Sequence, residues 1–159
     1  DPTGKLTAKY RKIHLFDSFG YRESDRFTPG NISPSLVTIG AQKWGLITCY
    51  DLRFPELARK LIESGAEGLI VPAAWLAGPN KVRHWETLLA ARAIENVCPV
   101  IGVGQTGPTY CANSQVVGAL GESLAHAGEA PGVTIVDIDT SQTAEARQKN
   151  PALEHRRVL

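Results

Sequence analysis

Cys49 is the residue of this sequence whose type and setting best suit covalent chemistry. It ends an apolar run that predicts a strand, and Pro55 then favours the first turn of a helix. A thiol that faces the N-terminus of a helix gains from the positive end of the helix dipole, which favours the nucleophilic thiolate. From this placement alone, a small buried hydrophobe at the end of a strand is an equally good interpretation.

Lys12 is the second candidate, because it lies among alternating apolar and charged residues over 10–16 that predict a strand. A lysine in a partly buried site can stabilise both a thiolate and the oxyanion of a tetrahedral intermediate, since electrostatic stabilisation is strongest where water is excluded. Considered by itself, Lys12 is better explained as a solvated lysine of a strand.

Three further side chains are candidates for a site around Cys49. Trp75 follows the next predicted strand and is expected to line a substrate pocket, since strand ends host ligands in α/β sheets. His84, at the start of a predicted helix, is either the base of a Cys-His hydrolase or a capping and packing residue. Arg53 either orients the site or forms an ion pair with no catalytic role, with Glu56 as the neighbouring carboxylate.

Strands and helices that alternate along the chain would position these residues. Apolar runs predict a hairpin of residues 36–39 and 43–50 around Gly40-Ala41. Helical periodicity predicts helices over residues 55–65 and 80–96, and from Thr140 or Ser141, as the cap, to Gln148. Further strands are predicted over residues 68–74, 99–103, 114–120, 123–126 and 133–138. This order predicts a layered α/β protein with a mixed sheet.

Composition bounds the class of protein. A chain of 159 residues with 43% hydrophobic and 21% charged residues and a formal net charge of +1 is typical of a globular domain, with no electrostatic case for nucleic acid or membrane partners. No apolar run approaches the roughly 20 residues of a membrane-spanning helix, and no signal peptide is visible, so a cytoplasmic protein is expected. The three widely spaced cysteines argue against a disulfide framework or a zinc site. No motif for a metal or an organic cofactor is present.

Four segments, in order, resemble the nitrilase superfamily of carbon-nitrogen hydrolases. They are Tyr-Arg-Lys-Ile-His-Leu-Phe-Asp at 10–17, Glu-Ser-Asp-Arg-Phe-Thr-Pro-Gly at 23–30, Cys-Tyr-Asp-Leu-Arg-Phe-Pro-Glu at 49–56, and His-Trp-Glu at 84–86 with Arg-Ala-Ile-Glu-Asn at 92–96. The sequence is most similar to the branch of omega-amidases and deaminated-glutathione amidases. The resemblance extends over nearly the whole chain.

The resemblance implies a four-layer α-β-β-α sandwich and an amidase that cleaves a small carboxamide through a cysteine thioester, without a cofactor. The family triad of glutamate, lysine and cysteine places the lysine on Lys12 and the cysteine on Cys49, and a further family glutamate that positions lysine and substrate falls on Glu23. The backbone N–H of Tyr50 is expected to assist Lys12 at the oxyanion. A homodimer or larger homo-oligomer is also implied, with residues 154–159 as a candidate interface element.

Two departures from the family pattern matter. The general-base glutamate precedes the lysine by far more than 11 residues in the family, so it has no counterpart here, and the sequence has no methionine. We therefore expect residues 1–159 to be the C-terminal portion of a single carbon-nitrogen hydrolase domain that lacks its N-terminal part. Ala112-Asn113-Ser114 also replaces the Gly-His-Ser common in related amidases. A Cys-His hydrolase using His84, and a non-catalytic fragment or pseudoenzyme with a binding role, remain the alternatives.

Overall fold

The computed structural model describes residues 1–158 and shows an α/β chain built around one mixed sheet. The strands are β1 (Asp17–Ser18), β2 (Tyr21–Arg22), β3 (Leu36–Ile39), β4 (Gln42–Leu46), β5 (Gly68–Ala73), β6 (Val100–Gly104), β7 (Gln115–Val117) and β8 (Ser123–His126). The α-helices are α1 (Pro55–Glu63), α2 (Lys81–Asn96) and α3 (Thr140–Lys149), and short 3₁₀ turns span Glu23–Asp25 and Cys49–Arg53.

The six-stranded sheet has the order β3-β4-β5-β6-β7-β8, so that strands adjacent in sequence are also adjacent in space. β4, β5 and β6 are parallel to one another, whereas β3, β7 and β8 pair antiparallel with their neighbours. The segments that leave the three parallel strands therefore emerge at one edge, where Cys49 follows β4, Trp75 follows β5 and Gln105 follows β6. Ligands of α/β proteins commonly bind at such an edge.

Helices α1 and α2 cover one face of the sheet. Gly45 of β4 lies against Leu61 of α1, and Gly102 of β6 lies against Trp85 and Leu89 of α2. A Cβ added to Gly102 would lie 2.4 Å from Leu89 Cδ1, so the close approach of α2 requires a glycine there. Large side chains that are fully buried fill the space between the helices and the sheet, among them Leu61, Leu69, Val71, Trp85, Leu89 and Val100.

The opposite face of the sheet is covered far less. Ile70 and Ile101 are half-buried there, Pro72 is exposed, and Val103 is 49% exposed. The predicted α/β class is confirmed, and the described residues supply one helix layer and one sheet layer. None of the helices within residues 1–158 has the length and apolar character needed to cross a membrane.

Two of the predicted strands are wrong. Residues 10–16 bend at Ile13 and His14 and form no ladder in the described part of the chain. The backbone N–H of His14 donates to Asp51 and that of Phe16 donates to Glu23, so carboxylates replace a partner strand. Residues 133–138 have the alternation of a strand but remain irregular, because Val133 and Ile135 are 91% and 90% exposed and find no buried surface to pack on.

The remaining predicted elements are confirmed with small differences at their ends. The hairpin appears as β3 and β4 with Gly40 at φ +63° in the turn, but β4 ends at Leu46 and Cys49 begins a 3₁₀ turn instead of ending a strand. The cap of α3 is Asp139, whose carboxylate accepts from the Ser141 N–H at 2.9 Å, and not Thr140 or Ser141. The predicted strand over 114–120 is reduced to β7, which ends before a turn closed by the Gly121 N–H.

The described part of the C-terminal segment, residues 154–158, follows α3 without regular structure. Arg156 donates to the Glu63 carboxylate at 2.5 Å, which holds the segment against the end of α1. Leu159, the last residue of the predicted interface element, lies outside the described residues.

Candidate active site

A cavity of about 750 Å³ lies at the carboxyl ends of β4, β5 and β6. Its volume suits a small organic ligand. The chain places most of the residues singled out from the sequence in its wall: Lys12, Glu23, Cys49, Tyr50, Arg53 and Trp75. The cavity therefore brings together side chains that are far apart in the sequence.

Cys49 occupies a sharp backbone turn between β4 and α1. Its φ of +50° lies in the left-handed region, which costs a non-glycine residue of order 1 kcal/mol. The Thr48 N–H donates to the Asp51 carboxylate at 3.1 Å across this turn, and α1 begins at Pro55. The predicted order of strand, sharp turn and helix is therefore present, with a 3₁₀ turn inserted between the nucleophile candidate and the helix.

The pKa of the Cys49 thiol is subject to opposing effects. Burial raises the pKa above its usual value, and this is the largest effect. The positive charge of Lys12 lowers it, the negative charge of Glu23 raises it, and backbone hydrogen bonds from Ala74 and Tyr50 lower it slightly. Burial therefore outweighs the effects that lower the pKa of Cys49, and Lys12 supplies the main electrostatic support for a thiolate.

Lys12 and Glu23 form a buried ion pair in the cavity wall. The Lys12 ammonium donates to a Glu23 carboxylate oxygen, and the two side chains are only 14% and 19% exposed. The same oxygen accepts from the Phe16 N–H at 2.6 Å, which fixes the carboxylate. The alternative interpretation of Lys12 and Glu23 as solvated surface residues is therefore wrong.

Asp51 is a buried carboxylate that the sequence analysis missed. It is fully buried and accepts hydrogen bonds from Tyr10, His14 and Thr48. Burial is the largest effect that raises the pKa of the Tyr10 hydroxyl. The hydrogen bond to Asp51 and the charge of Asp51 raise this pKa further. Hydrophobic periodicity does not identify a buried carboxylate. The position of Asp51, two residues after a candidate nucleophile, is the signal that could have indicated a role near the site.

Besides Lys12, two further cations, Arg53 and Lys81, line the cavity. Within residues 1–158, no carboxylate lies within ion-pairing distance of either group, so the proposed pairing of Arg53 with Glu56 is not formed. The Arg53 guanidinium stacks over the Trp75 ring at 4.9 Å, and the Lys81 ammonium lies 3.6 Å from the centre of the Phe19 ring. Burial, and next the charge of Arg53, lower the pKa of Lys81.

Lys81 was missed because the residues before it, Gly78-Pro79-Asn80, read simply as the loop that starts a helix. Its side chain lies inside the cavity wall because α2 begins at this residue, directly beside the site. A lysine at the first position of a helix, where a cation is unfavourable for the dipole, is the signal that could have identified it.

Trp75 and His84 have different positions relative to the cavity. Trp75 is buried, lines the cavity and donates its indole N–H to the Lys81 carbonyl at 3.0 Å, as expected for a residue at a strand exit. His84 is not among the residues that line the cavity, and its Nδ1 lies 3.3 Å from the Arg53 guanidinium. His84 therefore contacts the site only through Arg53 and is not placed as a base for Cys49.

The other two thiols differ from Cys49. Cys98 is fully buried, and burial raises its pKa to about 12. Cys111 is also buried, and burial raises its pKa. Cys49 is the partly buried thiol with a cation beside it. Among the described residues, no group of three or more histidine, cysteine, aspartate or glutamate side chains is arranged to hold a metal ion.

Comparison with known proteins identifies close relatives. The family model for carbon-nitrogen hydrolases matches residues 1–148. Deaminated glutathione amidase of Escherichia coli O157:H7 is 40% identical over 97% of this chain and 59% of its own length. The chain spans 50% to 61% of the length of the deaminated glutathione amidases that it matches.

Solved structures agree with this relationship. A carbon-nitrogen hydrolase from Helicobacter pylori G27 superposes with a TM-score of 0.84 at 36% identity, covering 93% of this chain and 57% of the other. An amidase from Nesterenkonia sp. AN1, with a TM-score of 0.79 and 30% identity over 98% of this chain and 59% of the other, shows covalent addition of the acetamide moiety of fluoroacetamide at its active-site cysteine. The expected nitrilase-type fold is confirmed.

Proposed function

The chain belongs to the carbon-nitrogen hydrolase family, and on that premise we propose that it carries the nucleophile and the cationic partner of an amidase. One observation carries the proposal: Cys49 and the Lys12–Glu23 ion pair line the same cavity, and the charge of Lys12 acts on the thiol. A cation held in a low-dielectric pocket stabilises both a thiolate and an oxyanion far better than a solvated cation does.

The proposed reaction is acyl transfer in two steps. Cys49 Sγ loses its proton to a general base and attacks the carbonyl carbon of a small carboxamide, and Lys12 with the Tyr50 N–H holds the oxyanion. The C–N bond then breaks, the nitrogen takes up the proton, and ammonia or an amine leaves a thioester on Cys49. Water, deprotonated by the same base, cleaves the thioester and releases a carboxylic acid.

Glu23 is proposed to orient Lys12 and not to act as the general base. Its carboxylate already accepts from the Lys12 ammonium and the Phe16 N–H, so it is engaged in holding the lysine. The family resemblance places the base well before Lys12, so we propose that the base is a glutamate that the printed sequence does not contain. Residues 1–159 would then be the C-terminal portion of one catalytic domain.

The cations of the cavity favour an amide that itself carries a carboxylate. Arg53 and Lys81 lie in the wall without a carboxylate partner among the described residues, and a buried cation is costly until an anion pairs with it. An anionic substrate would supply that partner. Several of the relatives are named deaminated glutathione amidase, and deaminated glutathione is an amide that carries a carboxylate.

The hydrolysis of succinamate, by variants of a protein that includes the proposed general base, tests the proposal against a Cys-His hydrolase. Cys49→Ala is expected to abolish ammonia release, and Lys12→Ala to reduce kcat by about 100-fold or more, because an oxyanion partner is lost. His84→Ala is the matched control and is expected to retain most of the activity. Loss of activity in His84→Ala with a fully active Lys12→Ala would contradict the proposal. A Cys49→Ala protein as active as the parent would favour a non-catalytic role for this cavity.

We also propose that the protein works in the cytoplasm as a homodimer or larger homo-oligomer, with residues 154–159 contributing to the interface. Three free thiols suit a reducing compartment, and the family resemblance supports assembly. Light scattering of the protein with and without residues 154–159 tests the assembly.

A further inference from the structure

The Asp51 carboxylate holds the segment that carries Lys12. Its Oδ2 accepts from the Tyr10 hydroxyl at 2.6 Å, and its Oδ1 accepts from the His14 N–H at 2.9 Å. The His14 Nδ1 lies 2.7 Å from the same Oδ1, and because an ionised carboxylate only accepts, Nδ1 carries the proton. Tyr10 and His14 each lie two positions from Lys12, so the lysine is fixed on both sides.

The same carboxylate closes the backbone turn that carries Cys49. Its Oδ2 accepts from the Thr48 N–H at 3.1 Å, so that the bond spans the residue at φ +50°. Thr48 precedes Cys49 and Asp51 follows it by two positions. One side chain therefore ties the turn of the nucleophile to the segment of the lysine, across about forty residues of sequence.

We propose that Asp51 is a positioning residue whose carboxylate sets the separation between the Lys12 ammonium and the Cys49 sulfur. The inference rests on the proposed function, because it assumes that Lys12 supports the thiolate. Asp51 touches neither the substrate cavity nor the reacting atoms, and acts through the two segments that it joins.

The position of the Asp51 charge makes the inference testable. The charged side chains that act on the Cys49 thiol are Lys12 and Glu23, with Cys111 and Lys81 as further titratable neighbours. Asp51 is not among them. Loss of its negative charge would, by direct electrostatics alone, lower the pKa of Cys49 slightly, whereas loss of its positioning effect would raise the pKa because Lys12 moves away. The two explanations predict opposite signs.

The experiment measures the pH dependence of Cys49 alkylation by iodoacetamide in the full chain. Asp51→Asn preserves shape and removes the charge, Lys12→Met removes the cation, and Asp137→Asn removes an exposed carboxylate as the matched control. A fourth protein combines Asp51→Asn with Lys12→Met. Thermal unfolding followed by circular dichroism checks that each variant is folded.

Asp51→Asn is expected to raise the midpoint of alkylation by about half a pH unit or more, in the direction of Lys12→Met, and to have no further effect in the Lys12→Met background. Asp137→Asn should leave the midpoint unchanged. A lower or unchanged midpoint in Asp51→Asn, when Lys12→Met raises it, would overturn the positioning role alone. An unchanged midpoint in Lys12→Met would instead overturn the proposed function.

Tyr10→Phe is a second variant for the same measurement, to be used if Asp51→Asn does not fold. It removes one of the hydrogen bonds to the carboxylate and leaves the buried charge in place. A smaller rise of the alkylation midpoint, absent in the Lys12→Met background, supports the positioning role. A midpoint equal to that of the parent protein would overturn it.

Discussion

At the scale of single residues, the reactivity of Cys49 depends on a balance between burial and charge. Burial alone would keep the thiol protonated, because a thiolate loses solvation in a dry pocket. The ammonium of Lys12 opposes this effect, and Glu23 holds that ammonium in place at the cost of part of its field. The same burial that raises the pKa of Cys49 also strengthens the interaction that Lys12 makes with an oxyanion.

The cavity is expected to favour anionic over neutral reagents because of Lys81. Cys49 should react faster with iodoacetate, relative to iodoacetamide, than a free thiol does, and Lys81→Met should lower this ratio about five-fold, as the loss of roughly 1 kcal/mol of attraction predicts. Lys60→Met is the control, since the Lys60 side chain is 65% exposed on α1. An identical ratio in Lys81→Met and the parent protein would show that Lys81 does not act on anions at this site.

The sequence could predict that Cys49, Lys12 and Glu23 share a cavity, because their neighbours match family segments in order. It could not identify Asp51 or Lys81. The sequence does not show whether a charged side chain is solvated or buried. Hydrophobic periodicity indicates which apolar positions are buried, but not which polar groups pair with a buried charge. His84 is the opposite case, because the sequence suggested it as a base, whereas the structure places it next to Arg53 and outside the cavity wall.

At the scale of elements, the site depends on three parallel strands that end at one edge of the sheet. Their buried glycines let α1 and α2 approach closely, which fixes the turn after β4 against the start of α2. Gly102 illustrates this dependence, because Leu89 and Trp85 of α2 occupy the space that a side chain at this position would need.

Gly102→Ala is expected to lower the free energy of unfolding by about 1–3 kcal/mol, since the added methyl group must displace Leu89 in a packed core. Urea denaturation measures the change. Gly132→Ala is the matched control, because a Cβ at Gly132 meets nothing within 4 Å, and its effect should remain within about 0.5 kcal/mol. Equal stability of the two variants would show that α2 does not pack against β6 as described.

Elements that bury an apolar face could be predicted from the sequence, and α1, α2 and β5 lie close to their predicted bounds. The two wrong strands had the alternation without a partner strand. Residues 10–16 use their N–H groups to bind carboxylates from distant positions, and residues 133–138 leave their apolar side chains exposed. The local sequence pattern could not predict that these two segments would not form strands, because this depends on which residues the tertiary structure places beside them.

At the scale of the whole molecule, the cavity lies at an edge of the sheet, and one sheet face remains largely uncovered. The chain spans 50% to 61% of the deaminated glutathione amidases that it matches. Family and fold class could be predicted because they depend on segments that the chain contains in full. The general base of the proposed reaction could not be assigned to a residue, because the family resemblance gives no counterpart for it among residues 1–159.

The decisive measurement is the mass of the peptide that contains Cys49, after exposure of the protein to succinamate and an acid quench. A succinyl group is expected on the Cys49 sulfur. Hydroxylamine should remove this group, Cys49→Ala should lack it, and Lys12→Ala should form it at least about 100-fold more slowly. An acyl group on another residue, or a Cys49 peptide of unchanged mass throughout the reaction, would show that Cys49 is not the nucleophile.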